Sequence, residues 1–234
     1  MIKLFRKNRQ HSLTEGKTGN YIKYAIGEIT LVVLGILIAL YINDWNSTRI
    51  NKNTTISIYK NINRQINADK NTISINLKFN LSLSKEYKYG VKIIEQNDRT
   101  KIDTLVKIEF NLIQYTDGDV SSNIYQNLIN SGESKLLKNK TIMEKIQKLE
   151  ATYTYMNRME QIHLNVIQNS IGIEIGKSIK ILDKSARKQD EVFGIDFQNH
   201  FMYSIYLCHR KGEVYKQVIK EIELITELID EELK

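Results

Sequence analysis

Residues 29–42 read ITLVVLGILIALYI, and this stretch decides the fold. Ten of its positions are Ile, Leu or Val, and counting back to Tyr24 gives the roughly 20 residues that a helix needs to cross a bilayer. Each of these ten favours insertion by roughly 0.3 to 0.6 kcal/mol, so together they contribute about 3 to 6 kcal/mol. That sum exceeds the cost of one off-centre carboxylate, and we predict a transmembrane helix over 21–43.

The flanking residues predict an uncleaved anchor. About twenty residues precede the apolar run, and INDWN at 42–46 offers no small-x-small cleavage site. Six cations precede the apolar run at 29–42 and only three lie within twenty residues after the span, which predicts a cytoplasmic N-terminus. We therefore expect a short basic cytoplasmic segment at 1–20, insertion in the inner (cytoplasmic) membrane and a periplasmic domain at 44–234. Four aromatic residues are placed as interfacial anchors: Tyr21, Tyr24, Tyr41 and Trp45.

Glu28 is a carboxylate at the start of the predicted span, on one helix face with Gly35 and Ala39. Gly35 and Ala39 form a small-xxx-small pair, which lets a second helix approach closely. Two interpretations of Glu28 stay open: it faces a partner helix, or it snorkels into the nearby headgroups. The expected partners are the lipid bilayer and either another membrane or envelope protein or a second copy bound through this helix.

The net charge of +7 does not predict nucleic-acid binding. Residues 1–42 hold six cations and two anions, so the remaining residues hold 28 cations and 25 anions. A net charge of +3 spread over long helices is typical of a solvated surface.

Apolar periodicity predicts an all-α fold in which the N-terminal transmembrane helix continues into an elongated antiparallel helical bundle. The chain has no Pro, so long helices are permitted. We predict long helices at about 44–95, 141–183 and 197–233, with short helices within 97–140. The last has a coiled-coil-like seam: Phe201, Ile205, Cys208, Gly212, Tyr215, Val218, Ile222, Ile225 and Ile229. Thr141 is the predicted N-cap of the second.

Residues 72–84 contain a conflict between two periodicities. Apolar residues occupy every second position from Ile73 to Leu83, which is typical of a half-buried strand. Because no Gly or Pro punctuates the stretch before Gly90, we predict a helix. Its two apolar stripes, 73/77/81 and 75/79/83, would then be clamped between two neighbours.

Residue patterns that carry chemistry are few. Glu160 and His163 have the spacing of helical-bundle di-metal sites, but the other histidines lack a Glu three positions earlier, which favours a polar pair on the helix flank. A loop at 117–121 lacks the Glu of a calcium loop, and Cys208 is predicted to be a small buried hydrophobe. The sequence therefore predicts no catalytic, metal or cofactor-binding residue and no enzyme activity.

Three segments, YAIGEI at 24–29, GILIAL at 35–40 and INDWN at 42–46, resemble the N-terminal motif of a family of single-pass membrane proteins of unknown function common in Bacteroidota. LINSG at 128–132 and LLKNK at 136–140 are similar to its middle segment. Tyr41 and Asp44 stand where the family pattern has Gln and Asn. The resemblance implies the location and architecture predicted above, and that Glu28 belongs to a motif, but it implies no activity.

Location and architecture together predict a membrane-anchored, non-enzymatic envelope protein that acts in protein–protein interaction, scaffolding or sensing. The alternative is an accessory subunit of an energised membrane complex in which Glu28 is the working group.

Overall fold

The computed structural model describes residues 18–118, 120 and 123–234, without the side chains of 18–21 and 24. The predicted cytoplasmic segment, apart from residues 18–20, lies outside these residues. The protein is all-α, as predicted, with these helices: α1 (Thr18–Glu95), α2 (Ile102–Phe110), α3 (Ile124–Asn130), α4 (Lys140–Val166), α5 (Gly172–Ser178), α6 (Gln189–Val192) and α7 (Ile195–Glu232). A short hairpin joins β1 (Ile179–Lys180) to β2 (Ser185–Ala186). The chain forms two compact units, Met1–Thr55 and Ile56–Lys234.

Within the second unit, α7 runs antiparallel to α1. Near one end, the Asn63 side chain donates to Asp230 at 3.2 Å. Further along, Asn80 Nδ2 donates to the backbone carbonyl of Cys208 at 2.6 Å. As residue numbers rise on α1 they fall on α7, so the two apolar stripes pack along their length.

α4 also runs antiparallel to α7 and is therefore parallel to α1. Lys148 pairs with Glu221 at 3.2 Å, and the Arg210 side chain donates to the Tyr155 hydroxyl at 3.1 Å. The 44 residues from 96 to 139 return the chain to the start of α4. This return segment lies against α1, because the Tyr87 hydroxyl donates to the carbonyl of Asn111 at 2.8 Å and Asn76 donates to that of Asp117 at 3.1 Å. The bundle thus contains one parallel helix pair, which the sequence did not predict.

Two clusters of buried residues form the core of the second unit. One joins Ile58–Ile73 of α1 to the first half of α4 and the second half of α7. The other joins Leu83–Ile94 of α1 to α2, α5, the hairpin and the start of α7. The predicted seam of α7 is buried from Cys208 to Ile229, and Ile205 is half-buried.

Residues 72–84 are helical, but the predicted pair of apolar stripes is wrong. Ile73 and Leu83 are buried, whereas Ile75 is 67% exposed and Leu81 44% exposed. The buried stripe instead passes through Asn80, which is 1% exposed. Steps of three and four from Ile73 reach position 80 and miss 75, 79 and 81, so helix geometry overrides the alternation of residue types.

The second predicted helix ends earlier than 183. A π-helical turn at Ile167–Ile171 follows α4, and α5 ends at Ser178, where Ile179 adopts an extended conformation. Ile167, Ile171 and Ile175 are spaced four residues apart. A regular α-helix would rotate these positions gradually away from the buried face, and the wider π turn keeps them on it. Asn139 is the N-cap, accepting from the Ile142 N–H at 3.3 Å, so the prediction of Thr141 is wrong.

Candidate functional site

Residues 29–42 form an exposed apolar surface on α1. Their large apolar side chains are 47–73% exposed, in contrast to the buried cores of the second unit. Among the described residues, α1 is the one helix long and apolar enough to cross a membrane, with a most apolar window of mean hydropathy 2.4. Such a surface exceeds what proteins leave in contact with water, so a bilayer or partner is needed to cover it.

The predicted partner face lies on this surface. Glu28 is half-buried, and Gly35 and Ala39 are exposed. A Cβ built on Gly35 would meet nothing within 4 Å, so the chain itself does not fill the space that the small residue leaves. Tyr41 is 73% exposed and Trp45 59% exposed, as interfacial anchors would be, and Arg49 lies 5.5 Å from the Trp45 ring centroid. The side chains of Tyr21 and Tyr24 lie outside the described residues.

A buried polar cluster occupies the middle of the second unit. Glu160 and His163 project from α4 and meet Lys211 and Tyr215 of α7, with Thr116 of the return segment between them. All five side chains are at most 4% exposed. Glu160 and His163 bond residues of other elements and not each other, and they lie in the core and not on the helix flank as predicted.

These groups form a directed chain of hydrogen bonds. Lys211 Nζ donates to Thr116 Oγ1 at 2.8 Å, and the Tyr215 hydroxyl donates to Glu160 Oε1 at 2.5 Å. Because Tyr215 uses its proton on Glu160, the Thr116 hydroxyl, 2.6 Å away, must donate to the Tyr215 oxygen. Two hydroxyl groups thus connect a buried ammonium to a buried carboxylate, and each bond polarises the next.

Two further contacts complete the cluster. Both oxygens of Glu160 accept from the backbone N–H of Gly118 at 3.1 Å. Lys211 also lies 2.9 Å from Nδ1 of His163, which must be the accepting nitrogen, so the ring proton is on Nε2. That Nε2 has no hydrogen-bond partner among the described residues. The return segment is therefore fixed to α4 through the carboxylate of Glu160.

Burial shifts the pKa values of these groups in the direction that favours their neutral forms. It lowers the pKa of Lys211 to about 8, although the nearby carboxylates of Glu160 and Asp117 oppose the shift. Burial, with the charge of Lys211, lowers the pKa of His163 to about 3. The pKa of Glu160 is raised by burial, against hydrogen bonds from Tyr215 and Gly118. Desolvation therefore outweighs the attraction between the charges.

A small cleft of about 180 Å³ reaches this cluster from the surface. Its walls are mostly polar and include two carboxylates: Tyr115, Asp117, Asn157, Glu160, Gln161 and Leu164. Among the described residues, no three or more His, Cys, Asp or Glu side chains are grouped so that they could hold a metal ion. Asp119 of the loop at 117–121 lies outside the described residues, and Thr116–Gly118 are irregular.

Glu109 and Asn80 are among the other buried polar residues, and neither was predicted to be buried. Glu109 of α2 is fully buried, neither of its oxygens has a partner among the described residues, and burial raises its pKa to about 9. Asn80 bonds the carbonyl of Cys208 beside Gly212, where an added Cβ would meet Asn80 at 3.6 Å. Gly212 therefore packs against α1 at ordinary contact distance and does not interrupt α7. Cys208 is 1% exposed, as predicted, and His209 is exposed.

The sequence carried a signal for this cluster that the apolar pattern hid. Between Met156 and Ile167 the buried stripe of α4 passes through Glu160 and His163 at steps of four and three. On α7, Lys211 follows Cys208 by three positions and precedes Tyr215 by four. The spacing of these polar residues along each helix is therefore enough to predict that they lie at core positions. No local signal places Thr116 beside them, because that contact joins residues about 100 positions apart.

Comparison with known proteins gives no family for this chain: no family model, no curated protein and no solved structure matches it.

Proposed function

We propose that this chain is a single-pass protein of the bacterial envelope, anchored by residues 21–43, whose helical domain binds or scaffolds another envelope component. The exposed apolar surface of residues 29–42 carries the proposal. Large apolar side chains left 47–73% exposed are stable in lipid and costly in water. The orientation with a cytoplasmic N-terminus and periplasmic domain rests on the cations before the span.

A binding or scaffolding role, without catalysis, suits the way the polar residues are used. Lys211 bonds Thr116 and His163, and Tyr215 bonds Glu160. All of these side chains are at most 4% exposed, and their bonds stabilise the packing of α4, α7 and the return segment. The resemblance to the Bacteroidota family supports the same location and architecture.

Topology and fractionation test the anchor. We expect the chain to stay with membranes after carbonate washing, and a tag fused after Lys234 to be reached by reagents that do not enter the cytosol. A tag fused before Met1 provides the matched control and should be reached only after the cells are permeabilised. A chain found in the soluble fraction, or a C-terminal tag accessible only from the cytosol, would refute the proposed anchoring.

Substitutions in the span separate this role from that of an accessory subunit. Crosslinks from residues 56–234 to envelope proteins are measured by mass spectrometry in cells that carry wild type, Glu28→Gln, or residues 29–42 replaced by an unrelated transmembrane sequence. A scaffold keeps its crosslinks in all three. If Glu28→Gln alone abolishes them while the chain stays folded in the membrane, the accessory interpretation is favoured and the scaffold proposal is wrong.

A further inference from the structure

The hairpin at 179–186 presents two aliphatic side chains to solvent at its tip. Leu182 is fully exposed and Ile181 is 61% exposed. Hairpin tips usually carry Gly, Asn, Asp or Ser, whose side chains suit tight turns and water. A Leu at this point contributes nothing to the core, and with Ile181 it forms an apolar tip that the bundle leaves uncovered.

The tip is held in place by its own hydrogen bonds. Ile179 pairs with Ala186 and Lys180 with Ser185 across the hairpin. Asp183 Oδ1 accepts from the N–H of Ser185 at 3.1 Å and from its hydroxyl at 2.6 Å. The apolar tip is therefore ordered in the folded protein. The conformational entropy of the tip is lost on folding, so binding does not incur that cost again.

Contacts at the base anchor the hairpin in the bundle. Ile179 is fully buried in the second core cluster, which also contains residues of α5 and α7. The Arg187 N–H donates to the carbonyl of Ser178 at 2.8 Å, and Lys184 Nζ lies 4.6 Å from the ring centroid of Phe110. Substitutions at the tip therefore leave these anchoring contacts unchanged.

Cations surround the tip. Residues 179–188 contain four basic side chains and one acidic one, a net charge of +3 in ten residues: Lys180, Lys184, Arg187 and Lys188 against Asp183. All four cations are exposed. Lys188 is paired with Glu191 at 2.6 Å, while Asp183 is engaged with Ser185. Apolar side chains at the tip and cations at its base match the layers of a bilayer with anionic headgroups.

We propose that this hairpin binds an anionic lipid surface, with Ile181 and Leu182 inserted among the acyl chains and the cations at the headgroups. Lipid fits better than an acidic protein, because a specific protein interface needs about 800 Å² from each partner and a convex two-residue tip cannot supply it. Insertion into lipid needs only that the aliphatic side chains pass the headgroup layer. This binding goes beyond the proposed anchor and does not depend on residues 29–42.

Flotation of the full chain with added vesicles tests the proposal. The protein is held in nanodiscs of phosphatidylcholine, so that residues 29–42 are already in neutral lipid, and is mixed with phosphatidylcholine vesicles with or without phosphatidylglycerol. We expect flotation with the anionic vesicles alone, weakened by added salt. Ile181→Ser with Leu182→Ser should lower the apparent affinity about tenfold or more. The matched control Ile173→Ser, 53% exposed on α5, should leave it unchanged.

A dye at the tip gives a direct readout. Leu182→Cys labelled with an environment-sensitive fluorophore should show a blue-shifted, brighter emission on anionic vesicles, and buried Cys208 should not react. Equal flotation with neutral vesicles, an unchanged emission, or equal losses in the tip variant and in Ile173→Ser would each overturn the proposal. Flotation that survives the tip substitutions but is lost on Lys180→Gln would also overturn it, since charge alone would then bind the vesicles.

Discussion

Replacing Lys211 and Glu160, separately and together, tests whether the buried chain of hydrogen bonds acts as one unit. Lys211→Met keeps the length of the side chain and removes two bonds, to Thr116 and to His163. Hydrogen bonds to a charged group contribute about 1.5–3 kcal/mol each. The substitution also removes the cost of burying an ammonium group, which partly offsets this loss. The pKa of Lys211 is lowered from 10.5 to about 8, and this shift corresponds to a cost of about 3 kcal/mol.

The balance predicts that Lys211→Met lowers the free energy of unfolding by about 0–3 kcal/mol. Glu160→Gln exchanges a charged acceptor of the Tyr215 hydroxyl for a neutral one, at a cost of about 1–2 kcal/mol. Each single variant also leaves the opposite charge buried without compensation. The double variant should therefore cost less than the sum of the two, with a coupling of about 1–3 kcal/mol.

Urea unfolding of the full chain in detergent micelles, followed by far-UV circular dichroism, measures the four free energies of this cycle. An exposed pair on the same helix provides the control: Lys216 and Glu213 lie 3.0 Å apart with both side chains 56% exposed. Lys216→Met with Glu213→Gln should show a coupling of about 0.5 kcal/mol or less. If the buried pair is additive within that same value, the hydrogen-bonded chain does not join its two ends energetically and the reasoning fails.

Three further predictions concern other parts of the chain. Burial raises the pKa of Glu109 to about 9, so the folded state keeps a proton that the unfolded chain releases above pH 4.5. The free energy of unfolding should therefore fall as pH rises from 4.5 to 9. Glu109→Gln should remove this fall, which urea unfolding at several pH values in this range measures. Gly90→Ala should lower the free energy of unfolding by about 1–3 kcal/mol, because the added Cβ would lie 2.8 Å from the ring of buried Phe201. Thermal unfolding measures this loss. The control is Gly176→Ala, where the added Cβ would meet nothing within 4 Å. Gly35→Ile should weaken any helix–helix crosslink formed in membranes without changing insertion, and an unchanged crosslink would show that this face is not used.

The apolar stripe of α7 shows how much of the fold can be predicted from the sequence. Apolar residues spaced three and four positions apart from Cys208 to Ile229 correctly predicted the buried face. A helix that packs along its length needs such a stripe whatever its neighbours are. The direction of α4 could not be found in this way. A helix parallel to α1 requires a return segment about as long as the bundle, and the stripe of α4 is the same in either direction.

The candidate site was less predictable because its polar residues take core positions. The pattern at 72–84 suggested burial for Leu81, and the structure buries Asn80. Lys211 follows the same rule, since its charge argues for the surface while its spacing places it in the core. Residue type and helix spacing disagree at both positions, and spacing decides, because every side chain on that face is covered once the helices pack.

Polar residues in the core have a consequence for the alignment of the helices. The stripes of α1, α4 and α7 are rich in Ile at regular steps, so apolar packing would change little if one helix slid by a turn of about 5.4 Å. The polar bonds are not tolerant of such a shift. A slide of α7 would separate Asn80 from the Cys208 carbonyl and Lys211 from Thr116, leaving buried polar groups without partners at about 1–3 kcal/mol each. We infer that these groups are in the core because they fix one alignment of the three helices, at the expense of stability that apolar residues would supply. That alignment also fixes the start of α7 against α5 and the base of the hairpin, and so determines where Ile181 and Leu182 are presented.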